Sequence, residues 1–131
     1  MWIYFGHPIS VYDTPKEQEL MWAIRDQLPQ YRIENPNQAQ HEQGYQRYKE
    51  EQGSGMDYYY TEVLPRMDAG IFLPFEDGLF GAGVFKEADW LRKKGKVIWE
   101  IDMDCEIKPF TLDEARKLSV DETRRRVRIS E

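Results

Sequence analysis

Short apolar runs recur along the chain and alternate with longer stretches in which apolar and polar residues mix. The runs at residues 2–5, 69–73 and 97–101 contain β-branched and aromatic side chains, a composition typical of buried strands. A shorter run at residues 31–33 predicts a further strand, and Ile107 is a candidate for a fifth. The pattern therefore predicts four or five strands distributed over the chain.

Between the strands, apolar residues recur with the spacing of a helix. Positions 20, 24 and 28 are leucine or isoleucine, which gives one helix an apolar stripe. At its start, Thr14 is suited to cap the helix, Pro15 to occupy the first helical position, and Glu17 to complete a capping box. Three more helices are predicted, at about residues 38–50, 56–64 and 84–94.

The C-terminal tail, at about residues 111–131, carries two further helix-start patterns. Thr111 is followed three residues later by Glu114, and Ser119 is followed in the same way by Glu122. These patterns predict two short helices after the last strand.

Strands that alternate with helices are typical of an α/β domain in which helices cover both faces of a parallel sheet. A chain of 131 residues fits one such domain. We therefore expect residues 1–131 to form a single Rossmann-like or flavodoxin-like three-layer sandwich with a four- to five-stranded parallel sheet. Ligands bind such sheets at the carboxyl ends of the strands, so the loops at residues 6–13 and 74–83 are predicted to line a site.

Composition narrows the classes of function. The net charge is −6, and because nucleic-acid binding requires a basic surface, nucleic acid is not an expected partner. The single cysteine, Cys105, offers neither a disulfide nor a metal cluster, and no group of His, Cys and Asp has the spacing of metal ligands. No apolar run has the length of a membrane span, and the N-terminus lacks the pattern of a signal peptide. We expect a cytoplasmic protein without metal, cofactor or membrane partner.

Candidate chemistry concentrates on the loop after the third predicted strand and on the helix that follows it. Gly81 and Gly83 let the backbone approach a ligand closely. Glu87 is predicted about one turn into the helix, where the helix N-terminus favours an ionised carboxylate. Such a carboxylate can attack a sugar carbon and hold it as an ester, as in retaining glycosidases. Glu76 and Asp77 are candidates to hydrogen-bond a base or to protonate a leaving group.

Each of these residues also has a purely structural interpretation. A glutamate in the first turn of a helix commonly serves only as a partner of the helix dipole. Asp77-Gly78 is also the pattern of a plain turn. The glycines form neither a dinucleotide-binding fingerprint nor a phosphate-binding P-loop. From this loop alone, catalysis by Glu87 and simple stabilisation of the helix both stay open.

The loop after the first strand is a second candidate. Backbone amides from Gly6 onward are placed as in loops that hold phosphate or sugar oxygens, and His7 and Ser10 add donors. The alternative is a rigid, proline-containing connection with a surface histidine. Tyr4 lies on the strand itself, where its composition favours a core aromatic side chain.

Three further features carry open alternatives. Asn37 and His41 follow the second strand, where they either contact a base or ribose or form a structural turn. The tyrosines at residues 58–60 either stack on a nucleobase or pack within a helix. The arginines at 124–126 and Arg128 form either a nucleic-acid arm or a solvated helix end that favours the dipole.

Several segments match one family in their order and spacing. They are IYFG at residues 3–6, DAGIFLP at 68–74, GVFKE at 83–87 and GKV at 95–97. Together they resemble the nucleoside 2-deoxyribosyltransferase superfamily, which includes 2'-deoxynucleoside 5'-phosphate N-hydrolases. The resemblance covers about residues 2–101.

The resemblance implies a site and a reaction. Glu87 matches the family nucleophile, which attacks C1' of a nucleoside or nucleotide and forms a glycosyl-enzyme ester. Tyr4 matches the tyrosine that orients this carboxylate, and Asp77 matches the acid near the departing base. The loop at residues 6–10 falls where the hydrolases hold a 5'-phosphate. The family also implies a homo-oligomer.

The chain also departs from the family pattern. Family members often carry an aspartate eight positions before the residue that matches Asp68, but here that position is Tyr60, and Asp57 is the nearest acid. The stretch between Asp77 and Glu87 is longer than usual. The expected function is cleavage or transfer at an N-glycosidic bond. The alternatives are a non-catalytic nucleotide-binding or sensing module of the same fold, and an interaction domain with a basic tail.

Overall fold

The computed structural model describes residues 1–129, apart from the side chains of Arg128 and Ile129. Two parts of the predicted tail, the Arg128 side chain of the basic cluster and residues 130–131, lie outside the described residues.

Five strands and five helices are present in the described part of the chain. The strands are β1 (Trp2–Gly6), β2 (Arg32–Glu34), β3 (Ala69–Phe72), β4 (Val97–Ile101) and β5 (Ile107–Pro109). The helices are α1 (Pro15–Gln27), α2 (Ala39–Gln52), α3 (Met56–Tyr58), α4 (Ala82–Lys93) and α5 (Val120–Ile129). Three short helical turns precede β3: a π-helical turn (Tyr59–Val63) and a 3-10 turn (Leu64–Arg66) that continue α3, and a 3-10 turn (Ile9–Val11) after β1.

The strands form one sheet in the order β2-β1-β3-β4-β5. The first four are parallel, but β5 is antiparallel to β4, so the prediction of a wholly parallel sheet is wrong at this edge. The connection at residues 102–106 is too short for the crossover that a parallel strand requires. Asp102 closes it instead, because its Oδ1 accepts from the backbone N–H groups of Asp104 and Glu106. The fold is α/β with a mostly parallel sheet, compatible with a Rossmann-like architecture.

Side chains of β1 alternate between two cores, and this alternation positions Tyr4. Ile3 and Phe5 belong to a core that includes Leu20 and Ile24 of α1. Tyr4, between them, belongs to a second core, to which α4 and the helical residues 56–66 contribute side chains. Burial of a large apolar side chain stabilises a fold by about 1.5–3 kcal/mol, so the packing of β1 holds the Tyr4 ring towards α4.

The helix-start patterns were confirmed in part. Thr14 caps α1, since its Oγ1 accepts from the backbone N–H of Glu17 at 3.3 Å. Glu17 does not complete the capping box, because its carboxylate is turned inward to His7 and Asn37. The prediction of a full box at this helix is therefore wrong.

Of the two helix-start patterns predicted in the tail, one was confirmed and the other was wrong. Ser119 caps α5 by accepting from the N–H of Glu122 at 3.1 Å, as predicted. The predicted cap at Thr111 is wrong, because Asp113 accepts from the N–H of Ala115 and begins a 3-10 turn (Glu114–Arg116). None of the helices in residues 1–129 has the length and apolar character needed to cross a membrane.

Candidate functional site

A short hydrogen bond joins the first strand to the helix after the third. The Tyr4 hydroxyl donates to Oε2 of Glu87 at 2.6 Å. Both side chains are buried, with relative exposures of 1% for Tyr4 and 5% for Glu87. The phenol is held by the sheet and the carboxylate by α4, so the pair is set by two rigid elements.

The helix dipole does not determine the charge of Glu87. The helix begins at Ala82, two residues before the predicted start, so Glu87 is its sixth residue and lies beyond the first turn. Burial raises the pKa of Glu87 to about 8, and the hydrogen bond from Tyr4 opposes this shift. The prediction that the helix N-terminus favours an ionised Glu87 is therefore wrong, because loss of solvent outweighs the dipole.

Tyr4 itself stays protonated over the physiological range. Burial raises the pKa of its hydroxyl well above the usual value near 10, and the neighbouring Glu87 charge raises it further. A phenol with a raised pKa keeps its proton, so it acts as a hydrogen-bond donor to the carboxylate and not as a proton acceptor.

A cavity of about 390 Å³ opens beside Glu87, within the range of small-molecule sites. We call it the Glu87 cavity. Much of its wall is aromatic, and the rings come from Tyr4, Tyr12, Tyr45, Tyr59 and Phe75. Polar side chains enter the wall from three elements, namely Glu42 and Gln46 from α2, Thr123 from α5 and His7 after β1. Aromatic walls with a few polar groups suit a ligand that combines a flat ring with hydroxyl groups.

Two tyrosines of the cavity wall, Tyr12 and Tyr59, share the environment of Glu87. Burial raises the pKa values of Tyr12 and Tyr59 far above the usual range, and the Glu87 charge contributes to both shifts. Both hydroxyls therefore keep their protons at neutral pH. Glu87 lies among phenols that can donate hydrogen bonds to its charge or to a sugar oxygen.

His7 and Glu17 form a buried pair behind the first loop. His7 Nδ1 contacts the backbone carbonyl of Phe5 at 2.9 Å, and Nε2 contacts Oε2 of Glu17 at 2.8 Å. The backbone carbonyl of Phe5 can only accept a hydrogen bond, so Nδ1 is the donor in that contact. Burial opposes the charge on Glu17, but the hydrogen bonds from His7 and Asn37 outweigh it and lower its pKa. The pair braces the loop that lines the cavity.

Other residues that were predicted to bind the substrate have structural positions. Asn37 donates to Asp13 and to both carboxylate oxygens of Glu17, so it supports the loop from behind. A side chain at Gly6 would place its Cβ 2.6 Å from the Phe72 ring, so only glycine fits there. Ser10 lines a separate groove with Asp77 and Arg126 and lies outside the Glu87 cavity.

Asp77, the predicted acid, is paired with a residue of the C-terminal helix. Arg126 donates to both of its carboxylate oxygens, at 3.0 and 2.7 Å. This pair holds the pKa of Asp77 below its ordinary value. Glu76 borders another cavity, which it shares with Glu100. The fold thus brings Tyr4 and Glu87 together and places both loop acids elsewhere.

The remaining predicted residues divide between the wall and the surface. Gly81 and Gly83 line the Glu87 cavity at the start of α4. Asp57 is exposed and lies outside the cavity wall. Tyr60, which stands where the family often has an aspartate, stacks on Trp90 at 6.3 Å between ring centroids.

Helix α5 closes one side of the cavity. Thr123 Oγ1 accepts from the backbone N–H of Ala82 at 2.9 Å and so caps the start of α4. Thr123 and Val127 both contribute to the cavity wall. The predicted basic tail therefore includes part of the site, with Arg126 fastened to Asp77.

Several wall residues escaped the sequence analysis, among them Tyr12, Glu42, Tyr45 and Thr123. A usable signal existed for two of them. Glu42 and Tyr45 lie three apart on the helix that follows β2, on one helical face and near the carboxyl edge of the sheet. Tyr12 and Thr123 carry no comparable pattern, since only the packing of distant segments brings them to the cavity.

The tyrosines at residues 58–60 and His41 lie in different environments. Tyr59 lines the Glu87 cavity, while Tyr58 is buried and contacts His41 Nδ1 at 2.7 Å. His41 is itself buried and contacts Glu34 through Nε2 at 3.2 Å. Packing within the fold therefore explains Tyr58 and His41, whereas Tyr59 borders the Glu87 cavity.

No group of three or more His, Cys, Asp or Glu side chains in residues 1–129 is arranged to hold a metal ion. Comparison of the chain with protein-family models, with curated proteins and with solved structures gave no match.

Proposed function

We propose that this protein cleaves or transfers the N-glycosidic bond of a nucleoside or nucleotide, with Glu87 as the nucleophile. The observation that carries the proposal is the 2.6 Å hydrogen bond from Tyr4 to Glu87 at the wall of a cavity large enough for a nucleoside. The resemblance to nucleoside 2-deoxyribosyltransferases supports the same assignment of both residues. A three-layer, Rossmann-like arrangement of the domain is part of this proposal.

In the first half of the reaction, a Glu87 carboxylate oxygen forms a bond to C1' of the sugar. The bond from C1' to the base nitrogen breaks, and its electron pair leaves with the base, which then takes up a proton. Tyr4 holds Oε2, so Oε1 is the oxygen oriented for attack. The product is a glycosyl ester on Glu87 and a free base.

In the second half, water or a second base attacks C1', the bond to Glu87 breaks, and the attacking oxygen or nitrogen gives up its proton. The carboxylate leaves with the electron pair of that bond, and the hydrogen bond from Tyr4 stabilises its returning charge. Attack by water makes the enzyme a hydrolase, and attack by a base makes it a transferase.

Variants of the nucleophile test the proposal. Glu87→Ala and Glu87→Gln are assayed on the four 2'-deoxynucleosides, the ribonucleosides and their 5'-phosphates, with chromatographic detection of free base. Both variants are expected to release base at the uncatalysed rate, because neither side chain forms the ester. Glu51→Gln is the matched control, since Glu51 is exposed on α2 and lies outside the Glu87 cavity. Base release by both Glu87 variants at the rate of the unaltered protein would refute the nucleophile assignment.

The second candidate is a non-catalytic module that binds or senses a nucleotide. The pairing of Asp77 with Arg126 favours it, because the acid that the family places near the base is engaged outside the cavity. This candidate predicts that nucleosides or nucleotides raise the melting temperature without turnover. Steady base release that disappears in Glu87→Gln would exclude it.

A further inference from the structure

A second carboxylate borders the Glu87 cavity and has no part in the reaction described so far. Glu42 lies in the first turn of α2 and contributes to the cavity wall. It is exposed, and among the described residues 1–129 no side chain forms a hydrogen bond or ion pair with its carboxylate. A free carboxylate at the mouth of a cavity that holds a candidate nucleophile is available for proton transfer.

Two tyrosines connect Glu42 electrostatically to the nucleophile. Burial is the main cause of the raised pKa values of Tyr12 and Tyr59, and the charges of Glu87 and Glu42 both add to each shift. The same two phenols are therefore within electrostatic range of both carboxylates. Glu42, Glu87 and the two tyrosines all line the Glu87 cavity, so the two acids border one shared space.

The position of Glu42 selects its chemical role. Glu42 is a second carboxylate at the wall of the cavity that holds Glu87, and a carboxylate in this place can accept a proton from water. Solvent reaches it directly, which a group that activates water requires. Asp77 cannot take this role from its position in the groove beside Ser10 and Arg126.

We propose that Glu42 is the general base that activates water in the second half of the reaction. The water oxygen forms a bond to C1' of the glycosyl ester while one water proton passes to the Glu42 carboxylate. The bond from C1' to Glu87 breaks, its electron pair returns to Glu87, and Glu42 then gives its proton to solvent. The inference rests on the proposed function. It makes hydrolysis the reaction that this site catalyses when no second base accepts the sugar.

The test separates the two half-reactions. Glu42→Gln and Glu42→Ala are mixed with the four 2'-deoxynucleosides and their 5'-phosphates, and free base is followed from the first turnover. We expect a rapid release of one equivalent of base, then steady turnover slowed by about 10²-fold or more. Intact mass spectrometry is expected to show the sugar ester on Glu87. Glu50→Gln, an exposed change on the same helix outside the cavity, is the matched control.

An external nucleophile tests whether the second half-reaction needs Glu42 as a base. Azide needs no general base, so it is expected to restore turnover of Glu42→Ala by about tenfold or more and to yield a glycosyl azide. Unchanged steady turnover in both Glu42 variants, with Glu87→Gln inactive, would overturn the role of Glu42 and leave the nucleophile intact. Slowing of the first turnover to the same extent as steady turnover would also overturn it. Absence of base release by the unaltered protein would remove the proposed function and this inference with it.

Discussion

The Tyr4 hydroxyl and Glu87 Oε2 lie 2.6 Å apart, although 83 positions separate the two residues along the chain. The bond favours the charged form of Glu87, whereas burial favours the neutral form and dominates. The balance of these two effects sets the pH at which the carboxylate is a nucleophile.

The first prediction concerns the pH dependence of base release. Only the ionised carboxylate attacks C1', and the pKa of Glu87 is raised to about 8. Below that pH, kcat/KM is expected to rise about tenfold for each pH unit, and then to level off. Tyr4, Tyr12 and Tyr59 are not expected to end the plateau below about pH 10, because their pKa values are raised. Initial rates between pH 5 and pH 10 provide the measurement. A profile that is flat between pH 5 and pH 7 would contradict the prediction.

The second prediction concerns Tyr4→Phe. The hydrogen bond from Tyr4 lowers the pKa of Glu87 against the effect of burial. Its removal is expected to shift the midpoint of the pH profile above 8 and to reduce kcat/KM at pH 7 by about tenfold or more. Tyr31→Phe is the control, because Tyr31 packs on Trp99 in the other core. If Tyr4→Phe instead lowers kcat/KM by the same factor at every pH, the hydrogen bond from Tyr4 does not determine the pKa of Glu87.

The third prediction concerns the stability of the fold. The folded pKa of Glu87 is about 8 and its ordinary value is 4.5, so the folded protein holds a proton that the unfolded chain releases between these values. Stability therefore falls as pH rises across this range, by up to about 5 kcal/mol. Glu87→Gln removes this loss and is expected to be more stable than the unaltered protein at pH 9 but not at pH 4.5. Urea unfolding at both pH values measures the difference.

If Glu87→Gln changes the free energy of unfolding equally at both pH values, the pKa of Glu87 is the same in the folded protein and in the unfolded chain. Glu51→Gln is the control here as well, because it removes an exposed carboxylate that forms no ion pair within the described part of the chain. Its effect on stability is expected to stay within about 0.5 kcal/mol at either pH.

The fourth prediction separates this chain from the family pattern. Asp77 is held by Arg126 outside the Glu87 cavity, so Asp77→Asn is expected to change base release by less than about threefold. Arg126→Gln breaks the same partly exposed pair, and each change is expected to cost about 1 kcal/mol of stability or less. A loss of about 10²-fold in kcat with Asp77→Asn alone would restore Asp77 as the acid for the departing base.

Local patterns predicted most of the elements because the interactions behind them span only a few residues. Thr14 caps α1, Ser119 caps α5, and residues 97–101 form β4, each as expected from neighbouring side chains. The direction of β5 was not predictable from its composition. It follows from the short connection closed by Asp102, whose effect depends on which strand lies beside it.

For the candidate site, the sequence by itself determined that Glu87 lies on the helix after the third strand and Tyr4 on the first strand, and only the family resemblance predicted that the two side chains meet. The tertiary structure alone decided their charge, since the pKa of Glu87 depends on burial that no local pattern encodes. The tertiary structure also paired Asp77 with Arg126, 49 residues away, and placed Glu42 at the cavity wall. Hydrogen bonds within a helix or turn are local, but desolvation and long-range pairing depend on how the whole chain packs.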